Sequence, residues 1–352
     1  MLETIWFALW GILWAVYFVL DGFDFGIGTL TPFIAKDEAD RRAVYNSMGP
    51  YWNGNEVWLI TAGGVTFAAF PKTYAVMFSS LYSALLLILF ALIIRGVSME
   101  FRSKFATGGW KKFWDICLWI GSFVPALLFG VAFANLFRGI LIDDKGVYQG
   151  TLFSLLNPYG LMGGVLFVLI FLVHGALWLA IKSDGELRTR AAKLAGGLWY
   201  FLAAAAVIFL AATYPSTKLY DNYLKAPALL VIPLVAVGAL FAVRVFVGRM
   251  QLWKAWSFSA VFIAMVTLFG VIGLFPNLLI SAINPSFSLT AFNSASSPLT
   301  LKIMLGVALV FVPIVIAYQI WVYRFFAVET SAKDASAVKS QEGKRVGAPE
   351  AI

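Results

Sequence analysis

Long, unbroken apolar runs separated by short charged clusters dominate the chain. Nine such runs stand out, roughly 5–34, 51–70, 74–95, 113–137, 159–181, 194–213, 227–247, 255–275 and 300–323. Most reach or approach the ~20 residues that a helix needs to cross ~30 Å of hydrocarbon. Barrel strands instead alternate over about 10 residues, and these runs do not. The pattern predicts an all-α polytopic membrane protein of about nine transmembrane helices. The second run is the least apolar, opening with Asn53, Asn55 and Glu56 and stopping at Phe70–Pro71; taken as a half-span, it would leave eight. Residues 1–326 read as a single transmembrane domain. Residues 327–352, rich in Ala, Ser, Lys and Glu with no apolar period, read as a disordered cytoplasmic tail.

Composition narrows the classes. Apolar residues make up 61% of the 352 and charged ones 12%, against about 45–50% and roughly 25% in a soluble domain. Too little polar surface exists to cover a soluble core. Cys117 is the only cysteine, which excludes a disulfide scaffold. With one Cys and one His, a protein-held zinc or iron–sulfur centre is not expected, and no metal ligands are assigned. The N-terminus reads MLETIW, with Glu3 where a secretory signal would be basic, so the first run is expected to remain in the mature protein.

Charge sets an orientation. With nine spans, 20 Lys and Arg residues fall on one side, Arg95 and Arg102 among them, and 6 on the other. The positive-inside rule then predicts an outside N-terminus and an inside C-terminus. Skipping the second run would put the first two cationic connections on opposite sides. The net charge of +8 is what inner loops facing anionic headgroups carry, so no nucleic-acid partner is implied.

An ionisable side chain in a bilayer costs at least about 2.5–3.5 kcal/mol, so the few present are informative. The first run contains LDGFDFGIG. Asp21 and Asp24 are three apart on one helical face, near the expected inner edge. Gly22, Gly26 and Gly28 would let another helix come close. The second run opens YWNGNEVW, where Asn53 or Asn55 suits a helix cap, Glu56 the first turn, and Trp52 and Trp58 the membrane interface. The bland account of the three acids is packing and capping. The sharper one is proton transfer from the inner side through Asp21, Asp24 and Glu56. The lone His174 suits a satisfied polar contact, a proton relay or a haem ligand, and Asp115, beside Trp114, suits the interface.

DGFDFGIG, YNSMGPYWNGNEVWLITAGG, FAAFP, FRSK, GSFVPALLFGVAFANL, LLNPYGLMGG and SASSPLTLKIM stand in this order along the chain. In that order they resemble the second subunit of cytochrome bd quinol oxidases, from Asp21 to about Lys302. The resemblance implies a complex that oxidises quinol and reduces oxygen to water. It implies two haem b and one haem d, all on a separate subunit I, and none on this chain. It further implies two four-helix bundles plus one extra helix, a stabilising role, a cytoplasmic proton route and part of a hydrophobic gas route. The setting would be the bacterial cytoplasmic membrane. A small single-helix subunit and a bound quinone or lipid are left open. Where many relatives have a WDGN motif, this chain has Asn53, and its acid stands one turn on, at Glu56. A proton-coupled secondary transporter, with acids in broken apolar segments, is the rival reading.

Overall fold

The computed structural model describes residues 1–326, so the expected tail, 327–352, lies outside the described residues. The apolar runs become helices because, away from water, only a helix satisfies its backbone within one segment. In chain order these are α1 (Leu2–Leu20), α2 (Gly22–Ile34), α3 (Glu38–Met48), α4 (Trp52–Ala69), α5 (Pro71–Ser80), α6 (Tyr82–Phe101) and α7 (Gly108–Arg138). Then follow α8 (Leu152–Leu155), α9 (Pro158–Lys182), α10 (Gly185–Ser216), α11 (Asp221–Lys225), α12 (Val231–Gly248), α13 (Leu252–Leu274) and α14 (Pro298–Phe325). Strands β1 (Asn277–Leu279) and β2 (Leu289–Thr290) pair antiparallel in the connection before α14.

Among the described residues, 8 helical stretches are long and apolar enough to cross a membrane. The continuous path of α1 and α2, Leu2–Ile34, is the first of them. The second run of the sequence, α4, is 18 residues long but falls outside this set because Asn53, Asn55 and Glu56 lower its apolar content. Helix α9 is the hub and packs against α2, α7, α10 and α13, while α1 lies between α4 and α13. Helix α14 stands apart: Leu301 is its only buried residue.

One expectation needs correction. The run 74–95 is shared between α5 and α6, and α6 continues to Phe101, so Arg95 sits inside a helix and is buried there. It is no loop cation, and the inner-side count falls by one, from 20 to 19. The reason is a partner: carboxylates on two other helices hold it.

Candidate functional site

Asp21 stands where α1 runs on into α2 with helical backbone angles, and its carboxylate is fully buried. Its backbone N–H donates to the Tyr17 carbonyl at 2.8 Å and its carbonyl accepts from the Phe25 N–H at 3.1 Å, so the helical ladder continues through it. Arg95 reaches across from α6. Its Nη2 donates to Asp21 Oδ1 at 2.7 Å and Oδ2 at 3.0 Å, and to Glu56 Oε1 at 2.6 Å. The guanidinium carbon lies 4.4 Å from the centroid of the Phe25 ring, a cation–π contact in a dry setting. Arg95 comes so close to α7 because residue 121 is glycine; a Cβ there would lie 2.7 Å from Arg95 Cβ.

Asp24, in the first turn of α2, is buried. Its Oδ2 accepts from Asn55 Nδ2 at 2.8 Å, and its Oδ1 has no hydrogen-bond partner among the described residues. Asn55 Oδ1 accepts from the Tyr323 hydroxyl at 2.8 Å and from Gln319 Nε2 at 3.3 Å. Gln319 Oε1 accepts from Trp58 Nε1 at 2.6 Å. Thus Arg95 bridges Asp21 and Glu56, while Asn55 ties Asp24 to Gln319 and Tyr323. Arg95, Gln319 and Tyr323 escape the sequence reading. The readable signal for Gln319 was a lone amide in an otherwise apolar run.

Several roles differ from the expectations. Tyr51 occupies the cap position of α4 with no side-chain cap, so neither Asn53 nor Asn55 caps it. Asn53 is exposed. Glu56 lies beyond the first turn, which holds no acid; its partner is Arg95. Trp58 is buried and donates to Gln319. Trp52 is half-buried, with its ring 3.1 Å from where a Cβ on Gly96 would lie. The glycines serve other helices than α4. A Cβ on Gly26 would strike the Phe171 carbonyl of α9, and one on Gly28 the Ser122 hydroxyl of α7. A Cβ on Gly22 would lie 2.7 Å from the Phe171 ring. They seat α2 in the bundle, and that seating fixes where Asp21 and Asp24 point.

A second ionic cluster closes one end of the bundle. Arg102 binds Asp115 through Nε at 2.6 Å and Glu38 through Nη1 at 3.1 Å and Nη2 at 3.0 Å. Arg41 binds Asp115 at 2.6 Å, Lys111 binds Glu38 at 3.0 Å, and Arg190 pairs with Asp40. Asp115 is therefore buried in an ionic network. Partial burial works to raise the Glu38 carboxyl, but the hydrogen bonds and charges of Arg102 and Lys111 outweigh it and hold it down at about 2.

His174 is fully buried. Nδ1 pairs with Ser259 Oγ and Nε2 with the Val19 carbonyl, each at 3.0 Å. Because a carbonyl only accepts, Nε2 carries the proton and Nδ1 accepts from Ser259. Both nitrogens are engaged, so the residue does not fit an axial haem ligand. Among the described residues, no group of three or more His, Cys, Asp or Glu could hold a metal ion. An apolar cavity of about 700 Å³ lies beside the site, lined by α1, α4, α5, α6 and α7, with Trp10, Phe67, Tyr74, Phe78 and Phe133 in its wall.

Comparison with known proteins shows the family of the chain. The family described as cytochrome bd terminal oxidase subunit II matches residues 2–326. The chain is 38% identical to the cytochrome bd-I ubiquinol oxidase subunit 2 of Escherichia coli, over 92% of this chain and 93% of the relative. It is 35% identical to the cytochrome bd ubiquinol oxidase subunit 2 of Bacillus subtilis, over 95% and 98%. In three dimensions it resembles a chain of the bd oxidase from Geobacillus thermodenitrificans, with a TM-score of 0.72, 17% identity, and coverage of 92% and 98%. The chain belongs to the cytochrome bd terminal oxidase subunit II family.

Proposed function

We propose that this chain is the second subunit of a bacterial inner-membrane complex that oxidises quinol and reduces oxygen, and that its acid cluster takes up protons for that reduction. The relatives' names support the first part. One observation carries the second: a single nitrogen, Arg95 Nη2, is shared by a partly exposed carboxylate, Glu56, and a buried one, Asp21. Two acids competing for one donor are coupled. A proton arriving on Glu56 weakens its hold on Arg95 and strengthens that of Asp21. Glu56 is the entry and Asp21 the inner station. Asp24, with one open oxygen, is a further stopping point.

Haem chemistry, electron transfer and oxygen binding belong in this reading to a haem-bearing subunit I carrying two haem b and one haem d. The engaged state of both His174 nitrogens supports that assignment. The apolar cavity suits passage of oxygen or residence of a lipid or quinone tail. Helix α4, about 27 Å long at 1.5 Å per residue, serves as a ninth span, with the N-terminus outside and the C-terminus inside. Two four-helix bundles and one extra helix, with α14 as the outlier, fit the packing. A small single-helix subunit fits the same assembly.

The test is affinity purification through a tag on the C-terminus. Co-purification with haem absorbance and quinol-dependent oxygen uptake is expected. A colourless, self-sufficient chain that drives proton-coupled solute uptake would favour the transporter.

A further inference from the structure

The hydrogen-bond path that reaches Asp24 from α14 has a fixed direction. An indole N–H can only donate, and Trp58 donates to Gln319 Oε1. The Gln319 oxygen therefore faces Trp58, and its amide nitrogen faces Asn55 Oδ1. The Tyr323 hydroxyl occupies the same Asn55 oxygen. Asn55 then presents its own amide nitrogen to Asp24 Oδ2. Oxygen and nitrogen of an amide have nearly the same shape, so sterics alone do not choose this orientation. Reversing Asn55 would face its NH2 with the Gln319 NH2 and its oxygen with the Asp24 carboxylate, donor against donor and acceptor against acceptor.

We propose that Trp58, Gln319 and Tyr323 are positioning residues that act through Asn55 to hold Asp24 as a hydrogen-bond acceptor on Oδ2, leaving Oδ1 as the oxygen open to a proton. This rests on the proton-handling reading of the acid cluster. It also gives α14 a purpose beyond packing. The helix buries only Leu301, yet its last turns are tied down by polar contacts: Gln319, Tyr323, and the Phe326 carbonyl, which accepts from the Tyr51 hydroxyl at 2.6 Å and from Lys182. Seating α14 thus sets the geometry of an acid on α2 through Asn55 of α4.

The test uses the assembled complex and infrared difference spectroscopy with isotope-labelled aspartate. The Asp24 carboxyl band is identified by its loss in Asp24→Asn. Gln319→Met keeps the length but removes donor and acceptor, and Trp58→Phe removes the fixed donor. Each is expected to move the Asp24 band and to lower turnover roughly threefold, the scale of one mispaired hydrogen bond. Tyr323→Phe should move the band less, because Gln319 still fills the Asn55 oxygen. In an Asn55→Leu background, Gln319→Met should have no further effect. An unmoved band in both assembled variants, Gln319→Met and Trp58→Phe, overturns the proposal. A moved band with wild-type turnover of Asp24→Asn keeps the positioning and sinks the proton-route reading. An unmoved band with an inactive Asp24→Asn does the reverse.

Discussion

Arg95 meets Asp21 through one nitrogen, which lies 2.7 Å and 3.0 Å from the two oxygens of a carboxylate that solvent does not reach. Removing one partner of a buried ion pair costs about 3–5 kcal/mol, because the other charge stays behind unpaired. Arg95→Met should therefore lower the yield and melting temperature of the complex sharply. Adding Asp21→Asn to it should recover part of the loss, since no naked charge then remains at that position. A double variant no more stable than Arg95→Met alone would show that the pair contributes through something other than charge compensation.

The seating of α2 depends on missing side chains. A Cβ on Gly26 would run into the Phe171 carbonyl and lie 3.0 Å from Gly175 Cα, both backbone atoms of α9. Backbone cannot swing away, so Gly26→Ala should destabilise by about 1–3 kcal/mol. Gly64 on α4 has nothing within 4 Å of its would-be Cβ. Gly64→Ala should be neutral or slightly stabilising, as expected for a helix interior. Thermal melting of the purified complex compares the two.

The sequence made the acids visible because Asp and Glu in apolar runs are costly and rare. It also made the helices visible, since apolar runs of this length have few other fates. Arg95 stayed hidden for a physical reason. A cation at the end of an apolar run is what an inner loop begins with, and only the continuation of α6 through Phe101 reveals that it lies inside the helix. Glu56 reads as a helix-start carboxylate only if α4 begins later than it does. Gln319 and Tyr323 lie more than 260 residues from Asn55, a distance no local pattern bridges.

The ionic cluster around Arg102 should show in acid. Glu38 is held at about 2 against an ordinary value of 4.5. A carboxyl depressed on folding contributes stability that is fully present above its unfolded value and is lost as pH falls through its folded one. The melting-temperature gap between wild type and Glu38→Gln should thus be constant above about pH 4.5 and close between about 4.5 and 2. Because the Glu38 side chain is 36% exposed, the gap should be small and shrink further with salt.

Orientation is open to direct measurement. Moving Arg95 out of the loop count leaves 19 cationic residues against 6, still a strong asymmetry in favour of an inside C-terminus. A reporter that works only in the cytoplasm, fused after Ile352, should be active. Activity solely of an externally functional reporter would rule out the nine-span arrangement with an outside N-terminus.

The central claim is that Glu56 and Asp21 pass protons by sharing Arg95. Its most direct test is the rate of quinol-driven oxygen consumption by assembled complex carrying Glu56→Gln, followed from roughly pH 6 to 8 at matched haem content. Gln keeps the shape and an oxygen to accept from Arg95 but cannot titrate. The account predicts normal assembly and a roughly tenfold or greater loss of turnover, about 1.4 kcal/mol in the barrier. Wild-type rates in Glu56→Gln across that range, together with wild-type rates in Asp21→Asn, would contradict it.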